Sequence, residues 1–370
     1  MPQIILIELV NLIDRTKQST QTTGRNVRNI GTQTIVEKLK STEITNKQQP
    51  SKDSKQAQPY FISFEKCKGN ARFQFFTGLD IRDFEALFEL LGGDNVIRSL
   101  KQKYNLNDFD PRYSKVSGRD RLFLFLIRLR RGVPLDDLAE ITGIGRSYLG
   151  DLLYIMTRHI YLTFKSMESN FFPTAAQQEK NKPKPFKPFR NLRIILDGAH
   201  FFTETPTNFE QQGNTYSLYK HHNTFVVVVG ISCQGAVTFV SPAFEGNMSD
   251  KKAVLESGLL ERLDEGDAVM TDRGFDIAGE LLDIGVRLYK PPSLGDRNKL
   301  TGDEEILTKA IAAGRIYVEH IIADIKDNRL LQGVIPLLLL PVISDLIYIA
   351  GYLCNFKLSR IHACKKNIRE

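Results

Sequence analysis

The chain has 370 residues, of which 42% are hydrophobic and 25% are charged, a composition typical of a globular protein with two or three folded units. Its four cysteines have no CxxC spacing, which argues against a structural zinc site and against a disulfide framework, so we expect a reducing intracellular compartment. The formal net charge of +7 is compatible with a polyanionic partner without naming one.

The two ends of the chain are polar and basic. Residues 1–60 contain nine Lys/Arg against five Asp/Glu, so most of the net charge lies there. This segment is rich in Thr, Gln, Lys and Ser with few aromatics, and such a composition cannot bury enough apolar surface to offset the entropy lost on ordering. We therefore predict a disordered polar arm over residues 1–59 and a basic tail over residues 357–370.

Residues 60–170 are predicted to form a helical region. Apolar side chains recur at helical spacing over residues 81–91 and again over residues 120–131. A short helix then follows Pro134, and after a break at Gly143 a longer helix resumes near Ser147.

The short helix, turn and longer helix have the spacing of a helix-turn-helix, over about residues 119–160. In that motif the second helix would present Arg146, Ser147 and Tyr148 to DNA at its start. The alternative is a three-helix packing module with no DNA contact, because the second helix carries Asp151 and little positive charge. The spacing alone leaves both interpretations open.

After a Lys/Pro-rich stretch, interpreted as an extended basic linker over residues 171–190, the periodicity changes. Predicted strands begin at Leu192, Thr224, Ala236, Ala268 and Val286. Helices follow the third, fourth and fifth strands, the first of them predicted from Ser249 to Leu263. This order predicts an α/β domain over residues 191–356 with a mixed five-stranded sheet flanked by helices.

A stretch near the end of that domain is apolar enough to be a candidate membrane span. Residues 334–354 are long enough to span a bilayer, but Pro336, Pro341 and Asp345 interrupt the stretch. We therefore predict a buried terminal helix and no membrane partner.

Three acids occupy particular places in the predicted domain. Asp197 follows the apolar run of the first strand, and Asp272 ends the fourth strand just before Gly274, which lets the chain turn away. Glu319 borders the apolar face of a long helix predicted from residue 303 to residue 328, and the residues expected to be buried on that face are Leu307, Ile311, Val318, Ile322 and Ile325.

A group of three carboxylates suits phosphodiester chemistry. Two divalent ions about 3.5 to 4 Å apart activate the attacking water and stabilise the leaving oxygen. Hard oxygen ligands favour Mg²⁺ or Mn²⁺ over zinc. Each acid also has an ordinary explanation, because Asp at a strand end is a common turn former and Glu319 forms an exposed pair with Arg315 one helical turn away.

The segments around these acids resemble the DDE superfamily of eukaryotic transposases, of the Harbinger and related type, over roughly residue 60 to the C-terminus. The similar segments are DGAH from Asp197, TYSLYKHHNTFVVVVGIS from Thr215, NMSDK from Asn247, TDRGF from Thr271 and RIYVEHIIADIK from Arg315. The family's helix-turn-helix also matches residues 126–149.

The resemblance implies a ribonuclease H-like nuclease domain whose catalytic, metal-binding acids fall on Asp197, Asp272 and Glu319. It implies metal-assisted DNA cleavage followed by transfer of the 3′-hydroxyl to a target. The expected partners are transposon ends and target DNA, with a separate DNA-binding protein and a homodimer as further expectations, and the expected location is the nucleus.

Further side chains receive supporting roles in this interpretation. Besides the start of the second helix of the helix-turn-helix, the residues expected to contact DNA are Lys220, His221, Arg273, Arg315 and Lys326. Tyr216 and Tyr219 precede Lys220 and suit contacts with DNA backbone or flipped bases, although a polar hairpin rim is an equally good explanation. His200 and Asp250 are expected to support the acids without reacting.

Three positions depart from the family pattern. Ala199 replaces a hydroxyl residue, His320 replaces an arginine, and Asp324 replaces a basic residue. Each change removes a donor or a positive charge near the expected DNA phosphate. A domesticated, catalytically weak DNA-binding or partner-binding protein is therefore the alternative, and a structure-specific nuclease without strand transfer is a third hypothesis.

Overall fold

The computed structural model describes residues 62–69, 71–103, 116–180 and 182–357. The predicted polar arm and all of the predicted basic tail beyond Lys357 lie outside these residues.

Helices make up the first part of the described chain. Their bounds are α1 (Phe64–Cys67), α2 (Ala71–Thr77), α3 (Ile81–Leu90), α4 (Gly93–Lys103), α5 (Gly118–Arg131), α6 (Leu135–Thr142) and α7 (Arg146–Ser166). α5 packs against α2, α4 and α7 and buries apolar side chains all round its axis. Ser117 caps its start by accepting from the Asp120 amide, and Gly132, at φ 64°, ends it in the left-handed conformation.

The short helix, turn and longer helix occur where the sequence predicted them. Gly143 ends α6 at φ 68°, and α7 begins three residues later. α7 is longer than predicted, because apolar residues continue to Phe164 and bury there. The contact of this unit with DNA stays a prediction.

Residues 171–190 do not run as the extended linker that the sequence predicted. They contain the helix α8 (Ala175–Glu179), and Phe186 and Phe189 are buried. The Gln178 side chain lies inside the protein, where its Nε2 donates to the Arg193 carbonyl and its Oε1 accepts from the Cys233 amide at 2.8 Å. The free energy gained by burying the two phenylalanines outweighs the tendency of a Lys/Pro-rich segment to stay extended.

A mixed sheet forms the second part. Its strands are β1 (Leu192–Thr203), β2 (Tyr216–Ser217), β3 (His222–Ile231), β4 (Val237–Val240), β5 (Phe244–Glu245), β6 (Ala268–Met270), β7 (Arg287–Tyr289) and β8 (Val334–Ile335). The main order is β2-β3-β1-β6-β7, with β4 and β5 also paired to β3, and β8 to β1. β3 is antiparallel to β1, whereas β6 and β7 continue in parallel. The five predicted strands are present among eight, in an arrangement compatible with a ribonuclease H-like fold.

Helices cover both faces of this sheet. They are α9 (Phe209–Thr215), α10 (Asp250–Glu256), α11 (Ala278–Asp283), α12 (Gly302–Lys326) and α13 (Leu340–Leu353). One face packs Ile194 and Leu196 of β1 against α10 and α11. On the other face α12 contacts β1, and α13 contacts β4 and α12.

Two helix predictions need correction. The helix expected from Ser249 to Leu263 ends at Glu256, because Gly258 turns the chain at φ +75° and only a short 3-10 turn follows. Leu307, expected on the buried face of α12, is 39% exposed, because the first turns of α12 extend past the sheet.

The apolar C-terminal helix is a core element. Among the described residues one stretch, Leu337–Phe356, is long and apolar enough to cross a membrane, and 61% of it is buried inside the protein. α13 packs against α7, and Arg158 Nη1 lies 2.5 Å from Asp345 Oδ2 between them. The prediction of a buried terminal helix is confirmed for α13.

Gly314 sets how closely α12 approaches the sheet. A Cβ at this position would lie 2.9 Å from Phe186 Cε1 and 3.0 Å from Met270 Sδ, closer than side chains normally pack. The residue that follows, Arg315, therefore starts from a backbone that lies directly over the end of β6.

We expect Gly314→Ala to lower the free energy of unfolding by about 1 to 2 kcal/mol, because an overpacking cost of about 1–3 kcal/mol exceeds the helix-propensity gain of up to about 1 kcal/mol. Gly302→Ala on the same helix is the matched control, since a Cβ there meets nothing within 4 Å. Urea unfolding measures both variants. Equal stability of the two variants would contradict this account of the close approach.

Candidate active site

Strand register brings the first two acids together. β1 and β6 are parallel, with Ile195 opposite Met270. Asp197 and Asp272 each lie two residues further on, so the alternation of side chains places both carboxylates on the same face of the sheet. The sequence predicted both strand ends, and the register makes them neighbours.

The long helix α12 brings the third acid to the same place. Because Gly314 lets α12 lie close to β6, Arg315 reaches over the strand ends, and Glu319 follows one turn later on the same side of the helix. All three predicted acids therefore meet around one group, the guanidinium of Arg315.

A single nitrogen of Arg315 faces the three carboxylates. Its Nη2 lies 3.2 Å from Asp197 Oδ1, 3.8 Å from Asp272 Oδ2 and 3.6 Å from Glu319 Oε1. The Arg315 side chain is only 16% exposed, whereas that of Glu319 is 53% exposed. The site is therefore open toward solvent on the Glu319 side and closed at Asp197.

The backbone holds the two aspartates in place. The Gly198 amide donates to Asp197 Oδ1 at 3.0 Å, and the Gly274 amide donates to Asp272 Oδ1 at 2.8 Å. The second bond closes a turn directly after β6, as the glycine at residue 274 predicted. In each aspartate the amide hydrogen bond uses one lone pair of Oδ1, so Oδ2 and the other lone pair of Oδ1 can face other ligands.

The site is short of positive charge. The pKa of Asp197 is raised to about 6, mainly by burial and also by the charges of Asp272 and Glu319, against the lowering effects of Arg315 and the Gly198 amide. One guanidinium does not neutralise three carboxylates, so the cluster stays net negative when all are ionised.

A fourth carboxylate borders the cluster. A Cβ on Gly198 would lie 2.9 Å from Asp250 Oδ1, and one on Gly274 would lie 3.6 Å from Asp250 Oδ2. Burial raises the pKa of Asp250, and the charge of Asp272 adds to this. Two glycines thus leave room for Asp250 beside the acids, in keeping with its expected supporting position.

The carboxylate oxygens of Asp197, Asp272 and Glu319 are of the type that binds a hard divalent cation. The three carboxylates already surround one cationic group, and oxygen ligands of this kind suit Mg²⁺ or Mn²⁺. In this conformation Arg315 lies where the oxygens converge, and among the described residues no group of three or more His, Cys, Asp or Glu has the arrangement of a metal site. Metal binding would therefore require Arg315 to move.

Arg315 was predicted from the sequence to contact DNA, and its position at the centre of the three acids was not predicted. The signal was present in the sequence as Gly314 followed by an Arg and Glu pair at i,i+4 spacing. Arg315 Nε is also buried without a hydrogen-bond partner among the described residues. A buried donor without an acceptor costs free energy. A ligand that offers Arg315 a new acceptor would remove that cost.

A second set of predicted residues lies further along β1. His200 Nδ1 lies 3.3 Å from Thr224 Oγ1, and burial, with the charges of Lys220 and Lys326, lowers its pKa to about 4. Lys326 Nζ lies 5.4 Å from the centre of the Phe201 ring. Burial and then the charge of Lys220 lower the pKa of Lys326. The two lysines therefore act on the same small region beside the acids.

The other predicted DNA contacts are spread over the surface. Arg273 is exposed and donates from Nη2 to the Pro292 carbonyl at 3.2 Å, and His221 is exposed at φ 53°. In the helical region Arg146 Nε lies 2.7 Å from Asp136 Oδ1, and Ser147 is exposed.

Tyr148, the remaining predicted contact of the helical region, is half-buried and lines a small pocket that also includes Ile97 and Arg121. The Tyr148 side chain is therefore less available to a partner than the two exposed residues before it.

The three departures from the family pattern lie on β1 and α12, the elements that carry Asp197 and Glu319. Ala199 is fully buried on β1, two residues after Asp197 and on the same face. His320 is half-buried, and its Nδ1 has no hydrogen-bond partner among the described residues. Asp324 is also half-buried on α12, one turn after His320.

Removal of Arg315 tests whether its charge holds the acids together. A charge pair 4 Å apart is worth about 1 kcal/mol in water and about 4 kcal/mol at an effective dielectric constant near 20. We expect Arg315→Ala to lower the free energy of unfolding by about 1–3 kcal/mol without metal. Mn²⁺ should then stabilise the variant more than the wild type, because no guanidinium competes with it.

Lys309→Ala is the control, because Lys309 pairs with a single exposed acid, Glu305, at 3.9 Å. Its loss should change stability little and leave the effect of Mn²⁺ unchanged. Thermal unfolding with and without Mn²⁺ measures all three proteins. An identical Mn²⁺ shift in Arg315→Ala and wild type would show that the ion does not bind at the acids.

Comparison with known proteins gives one match. The searches of curated proteins and of solved structures each returned no match. A family model described as DDE superfamily endonuclease matches residues 196–355. The matched region contains all three acids, Arg315 and α13, and it is therefore similar to a transposase-type nuclease domain.

Proposed function

We propose that this protein is a transposase-derived DNA endonuclease of the Harbinger type, located in the nucleus, which uses two divalent metal ions on Asp197, Asp272 and Glu319. The proposal extends to strand transfer, in which the same acids serve the joining of a 3′-hydroxyl to target DNA. The observation that carries it is the convergence of the three acids, from β1, from the end of β6 and from α12, within 3.8 Å of one nitrogen.

The excess of negative charge supports a divalent ligand. Asp197 is buried and repelled by its acidic neighbours, and only a cation relieves that repulsion without protonation. Mg²⁺ or Mn²⁺ would lower the pKa of the attacking water and stabilise the departing oxygen. Asp197 and Asp272 would hold such ions rigidly, because backbone amides orient both side chains.

The residues of the chain have distinct roles in this proposal. Glu319 is the most exposed of the three acids and lies on a helix, so it can adjust as substrate arrives. Once Arg315 leaves the centre of the acids, its guanidinium is placed to bind a phosphate oxygen, because a fork of donors matches phosphate geometry. Lys326, seven residues after Glu319 on α12, adds positive charge on the DNA side.

DNA is the proposed polyanion for the remaining cationic residues. Arg273 and Lys220 flank the acids from the loop after β6 and from the β2-β3 hairpin. Arg146 and Ser147 lie at the exposed start of α7, where a recognition helix would meet base edges. A homodimer or a separate DNA-binding protein would supply further sequence recognition.

A second candidate is a domesticated protein that keeps DNA or partner binding without cleavage. The position of Arg315 favours it, because the guanidinium compensates part of the charge that metal ions would otherwise balance. Ala199 and His320 also lack the groups that the family carries at those positions. The two candidates differ in one observable, metal-dependent cleavage.

Asp272→Asn is the decisive variant. It keeps the size of the side chain but removes the charge that holds a cation, so we expect Mn²⁺-dependent nicking of a DNA end to fall by at least about a hundredfold, the upper range for groups that only support a ligand. Asp276→Asn is the control, because Asp276 is nearby in sequence, largely exposed and paired to Lys290 at 3.6 Å. Its nicking rate should match that of the wild type.

Unchanged nicking by Asp272→Asn would exclude these acids as the catalytic group. Tight DNA binding without any nicking by the wild type would favour the domesticated protein. Joined products, scored in the same reactions with a target plasmid, separate a transposase from a nuclease that only cuts.

A further inference from the structure

The β2-β3 hairpin carries an exposed apolar tip on a fixed base. Leu218 is 81% exposed and Tyr219 is 78% exposed at the turn. The buried Asn223 anchors the base through its side chain, whose Nδ2 donates to the Gln212 carbonyl at 2.9 Å and to Thr215 Oγ1 at 2.8 Å. Since the base is held by these bonds, the tip keeps its position while its apolar side chains face water.

Tyr219 lies among groups that suit a nucleotide. Lys220 Nζ is 4.3 Å from the centre of the Tyr219 ring, and the His200 ring is 6.3 Å from it, tilted by 53°. One side of the tyrosine is thus bordered by a cation and another by an aromatic ring. The remaining exposed surface is available to a flat ligand.

The charges around the tip have no acidic partners of their own. Among the described residues neither Lys220 nor Lys326 forms an ion pair, although an ion pair is present for many other lysines of the chain. Lys326 is half-buried on α12 on the same side as Asp197. Asp197 acts on Lys326 without forming an ion pair with it, and the two lysines repel one another, so together they favour an anion such as a phosphate.

The tip borders β1, the strand that carries Asp197, through the contact of Tyr219 with His200. His200 follows Asp197 by three residues on β1, about 10 Å along the strand, and the alternation of side chains turns it to the opposite face of the sheet. Lys326 lies on α12, on the Asp197 face, and the charges of both Lys220 and Asp197 act on it. A DNA strand that leaves the acids would therefore meet the tip by way of Lys326.

We infer that Tyr219 stacks on an unpaired base of the DNA substrate while Lys220 and Lys326 bind the adjoining phosphate, so that the site takes DNA ends with unpaired nucleotides in preference to fully paired ends. The inference rests on the proposed function in one respect, that DNA is the polymer bound at the acids. Stacking repays the exposure of Tyr219 because every base offers a flat apolar face. A paired base inside a duplex has no free face for it.

Binding in EDTA tests the inference apart from cleavage. The host is the Asp272→Asn protein, and the probes are two fluorescent duplexes of identical length, one with three unpaired nucleotides at the end of one strand. We expect the host to bind the unpaired end about tenfold more tightly, and Tyr219→Ala to abolish that preference, since stacking on one base is worth about that factor. Tyr219→Phe should retain it.

Two controls separate stacking from general effects. Phe209→Ala removes another aromatic side chain that is 88% exposed, and it should leave the preference intact. Lys220→Ala should weaken binding of both duplexes equally and reduce the slope of log affinity against log salt by about one. Tyr219→Ala should leave the salt slope unchanged.

The outcomes distinguish the inference from the proposed function. An undiminished preference in Tyr219→Ala, an absent preference in the host, or no DNA binding at all would overturn the stacking role. A Tyr219 effect on oligomeric state without an effect on DNA preference would assign the tip to a second copy of the chain instead. A Tyr219-dependent preference together with a wild type that never nicks DNA would overturn the nuclease and leave the stacking role in place.

Discussion

The parallel register of β1 and β6 places two carboxylates side by side, and this arrangement needs a positive charge between them. Asp197 and Asp272 share one face at one edge of the sheet, and Glu319 arrives from the helix above. Arg315 supplies the charge in the structure described, at 3.2 Å from the buried aspartate. The close approach of α12 at Gly314 and the turn at Gly274 keep these groups together, and Asp250 adds a fourth carboxylate beside them.

That charge balance links the two candidate functions. A cation-binding site that forms before its cation arrives carries unrelieved repulsion, and a guanidinium within reach lowers this cost. If Arg315 moves to a phosphate when metal and DNA enter, one residue serves both states, and the conformation described is a resting one. If Arg315 stays, the same ion pairs form a stable structural network, and the protein keeps the fold without the reaction.

The strands and the acids at their ends were predictable because both follow local rules. Apolar runs gave β1, β3 and β6, and a glycine after Asp272 marked the turn. The position of Arg315 was not predictable in this way, since it depends on Phe186, which lies in a segment whose Lys/Pro composition indicated a linker, and on the absence of a side chain at Gly314. The exposure of Leu307 was missed for a related reason: helical periodicity identifies a face, but where the sheet beneath that face ends is a tertiary property.

The charges near β1 are negative at Asp197 and positive near His200. This difference affects where a nucleic acid strand would bind. The acids surround Asp197, and three residues later the charges near His200 are those of Lys220 and Lys326. A polyanion would be repelled at the acids unless cations are present, but it would be attracted to the adjoining lysines with or without metal, more weakly as salt rises. Binding and cleavage would therefore have separate requirements on a single strand: the lysines hold the backbone, and the acids need metal before they accept a phosphate. A protein that lost metal binding would keep the first property, which is why DNA affinity alone does not distinguish the two candidate functions.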